Sequence, residues 1–257
     1  MERIGHGLAR FLTRRRRIHG VSPATAVEQL RAYLTPADIL LVEGDTRISA
    51  AIKYLTQSSW SHAALYVGAH GQGRLGDARH CFVEADLVEG VRSVGFEEFE
   101  GLHTRICRPV GLTDEDRHAI AGFAIGQIGR RYDLRNAIDL ARYLLPTPPV
   151  PARFRRRMIA LGSGEPTRAI CSTLISQAFR SIGYPILPTA DYRPAASGRL
   201  ETWVDYVEHI RRYSLYTPRD FDVSPYFRIV KPTIEDGFDF RTLNRDRLAP
   251  KVATDAG

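Results

Sequence analysis

Four short apolar runs stand close together between residues 39 and 110: ILLV, SHAALYVG, HCFVEAD and TRICRPV. Each has the length of a strand, and glycine-rich turns join the later ones where a βαβ unit would need a crossover helix. Helical patterns flank and separate them. RISAAIKYLTQ places Ile48, Ala51, Ile52 and Leu55 on one helical face. Thr113, followed three residues later by Asp116, forms a capping box that opens a helix carrying Ile120, Phe123, Ala124 and Ile128. YFRIV, near Val230, reads as a closing strand. The alternation predicts an α+β domain, an antiparallel sheet packed on helices, and excludes a regular parallel sheet.

Around that core the chain changes character. Residues 1–33 read as a basic tail with one short helix, capped by Ser22 with Pro23 at its first position and an apolar stripe of Val27, Leu30 and Leu34. The catalytic core is expected over residues 34–232. Within it, 144–166 is an insertion rich in proline and then arginine, with a short basic helix from Arg153 to Leu161. Residues 233–257 form a polar C-terminal tail.

The hydrophobic content of 44% is enough to bury a sizeable core. A net charge of +7 favours anionic partners. Nucleic acid is not expected among them, because the Arg14 to Arg17 run has no aromatic-rich binding motif beside it. An anionic membrane is the better match, since Ile4, Leu8, Phe11 and Leu12 fall at helical spacing in the basic N-terminus. The competing reading there is a frayed basic tail.

The cysteines are Cys81, Cys107 and Cys171. An odd count without a C-x-x-C pair argues against a disulfide framework and against a zinc site, and suggests a reducing, cytoplasmic compartment. No histidine stands in H-E-x-x-H spacing, and no phosphate-binding glycine loop is present, so neither a metal nor another cofactor is indicated. No apolar stretch reaches the roughly 20 residues needed to span a bilayer.

Two distant segments carry the chemistry. RAICSTLISQAF reads as a helix with Leu174, Ile175, Ala178 and Phe179 as its buried stripe and Cys171 in its first turn. There the free N–H groups and the helix dipole favour a thiolate. The alternative is a small buried core cysteine. SHAALYVG places His62, Ala64 and Tyr66 on one strand face, where His62 is either a general base or a structural histidine. A base histidine needs an orienting partner. Glu84 in CFVEAD is the candidate if its strand pairs with that of His62; otherwise it is an exposed edge carboxylate. Cys81 and Cys107 lie in strand-like runs and read as core.

DILLVEGDTRISAAIKYLTQSSWSHAALYVG, FVEAD, AICSTLISQAF and TPRDFDVSPYFRIVK resemble the YiiX/YebB-like branch of the NlpC/P60 cysteine hydrolases. The resemblance implies a circularly permuted papain-like fold, in which histidine precedes cysteine. It implies Cys171 as nucleophile, His62 as base and Glu84 as the orienting residue. The activity it implies is cleavage of an amide bond, peptide or N-acyl, through an acyl-enzyme. Two alternatives stay open: a lipid-directed acyltransferase or thioesterase at a membrane surface, and a non-catalytic membrane- or partner-binding module on the same fold.

Overall fold

The computed structural model describes residues 26–68, 79–86, 89–130, 170–188, 216–239 and 241. Their elements run α1 (Val27–Tyr33), β1 (Ile39–Glu43), α2 (Arg47–Thr56), β2 (His62–Tyr66), β3 (Phe82–Asp86), β4 (Gly90–Val94), a 3-10 turn (Phe96–Phe99) and β5 (His103–Pro109). Then follow α3 (Asp114–Ile125), α4 (Ile170–Arg180), α5 (Pro218–Asp222), β6 (Phe227–Val230) and α6 (Pro232–Glu235). The strands form one six-stranded sheet in the order β4-β3-β2-β1-β5-β6, and every neighbouring pair is antiparallel. The α+β architecture expected from the sequence is the one observed.

β1 sits in the middle of the sheet, which explains its unbroken apolar run. Ile39 and Leu41 face one side and pack with Leu65, Val83 and Cys107 against Ile120 and Ala121 of α3 and Leu174 and Ile175 of α4. Leu40 and Val42 face the other and pack with Phe82 and Ile106 against Leu30 and Leu34 of the α1 segment and Phe96 and Phe99 of the 3-10 turn. A strand covered on both faces has no polar side to alternate with. On the second face the rings of Phe82, Phe96 and Phe99 meet edge to face at 4.9 to 5.1 Å, the arrangement their quadrupoles favour.

The helix starts follow local chemistry. Thr113 Oγ1 accepts from the Asp116 amide at 3.2 Å and Asp116 Oδ2 accepts from the Thr113 amide at 3.0 Å, so the expected capping box forms with aspartate in place of glutamate. α3 ends sooner than its apolar spacing suggests. It stops at Ile125, ahead of Gly126 and Gly129, and Ile128 packs on the core from the following turn. α5 opens with a related arrangement: Asp220 Oδ2 accepts from the Thr217 amide at 2.8 Å and from its hydroxyl at 3.1 Å, with Pro218 at the first position of the helix. Ser22 and Pro23, the basic N-terminal stripe and the 144–166 insertion lie outside the described residues.

Asp38 ties the α1 side of the sheet to β5. It is fully buried, and its carboxylate takes the Arg108 guanidinium at 3.0 Å through Nε and 2.7 Å through the terminal nitrogen. It also accepts the Thr35 amide at 2.8 Å. Arg108 donates in turn to the Tyr33 carbonyl at the end of α1. Removing one partner of a buried pair leaves the other charge uncompensated, at a cost of about 3–5 kcal/mol. Asp38→Ala is therefore expected to lower unfolding stability by roughly 3 kcal/mol. Urea denaturation followed by circular dichroism measures it; a loss below about 1 kcal/mol would show the pair to be dispensable.

Candidate active site

The ladder that joins β2 to β3 sets up the site. Leu65 lies opposite Val83 and Tyr66 opposite Phe82. Continued along the chains, that register places His62 and Glu84 on the same face of neighbouring strands. Their side chains meet: Glu84 Oε2 is 2.8 Å from His62 Nε2. Glu84 therefore belongs to an interior strand and is only 2% exposed, which rules out the edge-carboxylate reading.

A carboxylate at that depth needs a cation, and β4 supplies one. Arg92 lies directly opposite Glu84 in the β3–β4 register. Its guanidinium reaches Glu84 Oε1 at 2.9 Å through Nε and 2.7 Å through a terminal nitrogen. It also pairs with Glu98 at 2.9 Å and with Glu89 at 3.2 Å. Burial works against ionisation of Glu84, but the neighbouring His62 and Arg92 outweigh it and hold the carboxyl below its ordinary range.

Cys171 arrives from the other face of the sheet. It is the second residue of α4, whose Leu174, Ile175, Ala178 and Phe179 are locked into the core. The His62 ring and the Ala63 backbone N–H are the groups beside it that act on its thiol. The Ser172 hydroxyl stands 3.9 Å from the sulfur. With Nε2 held by Glu84, Nδ1 is the ring nitrogen left for the thiol. The structure thus brings together all three residues singled out in the sequence.

The electrostatics of the pair run in opposite directions. Burial pushes the Cys171 thiol up, yet the His62 charge and the hydrogen bonds from His62, Ala63 and Ser172 outweigh it and hold the thiol below its ordinary value. Burial disfavours a charged His62, yet the Cys171 and Glu84 charges together hold the imidazole well above its ordinary value. The two shifts run toward each other and favour a thiolate beside an imidazolium. The other thiols behave differently. Burial pushes half-buried Cys81 up to about 11 and fully buried Cys107 higher still.

Sequence reasoning missed Arg92, Glu98 and the Ala63 amide. Arg92 was findable, because a cation in GVRSV, one turn after FVEAD, is a natural cross-strand mate for Glu84. The Ala63 N–H has no side-chain signal. Among the described residues, no group of three or more His, Cys, Asp or Glu is placed to hold a metal ion, and no helix is long and apolar enough to cross a membrane.

Residues 33–143 match the family of permuted papain-like amidase enzymes, YaeF/YiiX, C92. The matched span contains His62 and Glu84 and ends before Cys171. The resemblance to the YiiX-like permuted papain-like family is borne out over these residues, and the family supports a hydrolase-type enzyme activity. Among solved structures, the crystal structure of metalloprotein yiiX from Escherichia coli O157:H7 (DUF1105) aligns with a TM-score of 0.44 at 14% identity, covering 77% of this chain and 96% of that one. No curated protein matches.

The opposed pKa directions give a labelling pattern. Iodoacetamide is expected to alkylate Cys171 at lower pH than Cys81 and Cys107, and His62→Ala should move the Cys171 profile to higher pH because the cation that lowers the thiol is gone. Peptide mass spectrometry across a pH series reads all three thiols at once. Equal, slow labelling of the three would show that Cys171 is not activated.

Proposed function

We propose that this chain is a cysteine hydrolase that cleaves an amide bond, peptide or N-acyl, through an acyl-enzyme on Cys171, with residues 34–232 as the catalytic unit. One observation carries the reading. Among the described residues, Cys171 is the thiol that meets an imidazole, and that imidazole is backed by a buried carboxylate.

The chemistry follows from the contacts. His62 holds the thiol proton and leaves a thiolate, the reactive form of cysteine. Sγ attacks the substrate carbonyl carbon, a C–S bond forms, and the carbonyl π pair moves to oxygen. That oxyanion is met by the Cys171 backbone N–H at the start of α4. When the tetrahedral intermediate collapses, the C–N bond breaks and His62 gives its proton to the departing amine. Water, deprotonated by the now neutral His62, then attacks the thioester and releases the acid and the thiol. Glu84 fixes the ring so that Nδ1 faces the sulfur throughout, and it stabilises the imidazolium of each charged step.

Cys171→Ser is expected to abolish turnover of N-acyl amide and peptide substrates. Cys81→Ser and Cys107→Ser should retain it, since neither thiol touches the site. His62→Ala should lower kcat by about 10²- to 10⁴-fold, the range for loss of a general acid–base. Steady-state kinetics with intact-mass detection of an acyl adduct on Cys171 tests the set. Undiminished turnover by Cys171→Ser would end the proposal.

A further inference from the structure

The end of the sheet that carries His62 also carries a second cluster of polar side chains, on the face that α4 covers. Leu41 packs on that face. In the ladders it lies between Ala63 of β2 and Arg105 of β5, so Arg105 shares the face. Glu43 and His103, paired two residues further along, fall on it too. Trp60 and Phe221 of α5 belong to the same core, and Asp222, at the end of α5, meets Arg105. α4 seats its Leu174 and Ile175 in that core, so Cys171 and the cluster stand on one side of the sheet. From Ala63, beside His62, to Arg105 is two strand spacings, about 10 Å.

Arg105 is held by an acidic and an aromatic neighbour. One terminal nitrogen donates to Asp222 Oδ1 at 2.6 Å. The Trp60 indole N–H donates to the other Asp222 oxygen at 3.0 Å, and the guanidinium carbon stands 4.9 Å from the centre of the Trp60 ring. The His103 ring lies 5.2 Å from Trp60 and meets one Glu43 oxygen at 3.1 Å through Nδ1, while Lys53 donates to the other at 3.3 Å. Both carboxylates therefore have both oxygens engaged. The guanidinium does not: among the described residues its one hydrogen-bond partner is Asp222, and the side chain is 35% exposed. Most of its N–H groups are left for another acceptor. Trp60 is 3% exposed and stands two residues ahead of His62, so the surface that braces Arg105 is tied to the strand of the catalytic imidazole.

We propose that Arg105 is a specificity-determining residue of this site and binds a carboxylate carried by the amide substrate, on the part of the substrate that crosses β1 from Cys171. The proposal rests on the reading of Cys171 as the nucleophile of an amide hydrolase and names the substrate class. A guanidinium fork matches a planar carboxylate, and stacking on Trp60 with one nitrogen held by Asp222 fixes its plane before the ligand arrives. Less freedom is then lost on binding. The net charge of +7 draws anions to the surface without locating them; Arg105 gives that attraction a place beside the thiol.

Alkylating probes of two charges measure this without the natural substrate. N-iodoacetyl aminocaproic acid carries a carboxylate at the end of a spacer, and its carboxamide is the uncharged twin. Each alkylates Cys171 with loss of iodide, and peptide mass spectrometry gives the ratio of the two second-order rates, acid over amide. In wild type the ratio should exceed one. Arg105→Gln should lower it about tenfold and leave the amide rate in place, as expected for loss of a hydrogen bond between charged groups. Arg228→Gln, which removes an exposed cation on β6, should leave the ratio unchanged. A residue that only ties α5 to β5 would slow or spare acid and amide alike, and an unchanged ratio in Arg105→Gln overturns the proposal. An equal fall in Arg228→Gln overturns it too, since general charge would then account for the preference. If neither probe reacts faster at Cys171 than at Cys81, the nucleophile reading fails and this proposal with it. Should Arg105→Gln not fold, wild type decides: N-iodoacetyl glycine, whose carboxylate is held too near the thiol to reach Arg105, should give a ratio well below that of the longer acid, and equal ratios would overturn the proposal.

Discussion

Glu84 is the group on which the site depends. A carboxylate buried to 2% exposure, if left alone, would take up a proton and cease to hold an imidazolium. Two cations prevent this from opposite sides: His62 on one oxygen and Arg92 on the other. Losing one partner of such a buried set costs about 3–5 kcal/mol, mostly as the penalty of the charge left behind. Arg92 thus lets Glu84 stay ionised without needing the proton of His62, which in the proposed mechanism passes between the ring and the sulfur.

The sheet makes this arrangement cheap to hold. Glu84 and Arg92 are directly opposed on β3 and β4, and His62 and Glu84 lie on one face of β2 and β3. Three side chains are aligned by ladder geometry, and farther along the same face the Phe82, Phe96 and Phe99 cluster buries the strands that carry them. The helix contributes a single group. α4 is seated on the opposite face by Leu174, Ile175, Ala178 and Phe179, and that seating fixes where Cys171 emerges. Core and site divide the strands along their length: the core packs on both faces, and the site lies toward the His62 end of β2.

Much of this was legible in the sequence, for reasons tied to particular residues. The β1 run ILLV is continuous because both its faces are covered, and the capping box at Thr113 is written in two side chains. Cys171, His62 and Glu84 stand out because thiol, imidazole and carboxylate are rare in apolar runs. Other features left weaker traces. α3 stops at Ile125 because glycines follow, although its apolar spacing continues to Ile128. α5 is a helix of five residues, too short for periodicity, and only its Thr217–Asp220 cap marks it. The point at which the β2–β3 ladder ends is a tertiary fact, and no residue type announces it.

The site's charges form an alternating line from the core to water. It begins at the Cys171 thiol, where a thiolate is favoured, and passes through the His62 ring, the carboxylate of Glu84 and the guanidinium of Arg92 to Glu98 and Glu89. The end members Glu98 and Glu89 are 44% and 62% exposed, while Glu84 is 3% exposed by side chain. Each buried charge therefore has an opposite neighbour, and the desolvation cost that would fall on one residue is spread along a chain that terminates in solvent. Such a line can bear movement of a proton at its inner end. In the proposed mechanism, where His62 and Cys171 exchange that proton, charge appears and disappears in a place where the remaining members are already fixed and paired, so little has to reorganise around it.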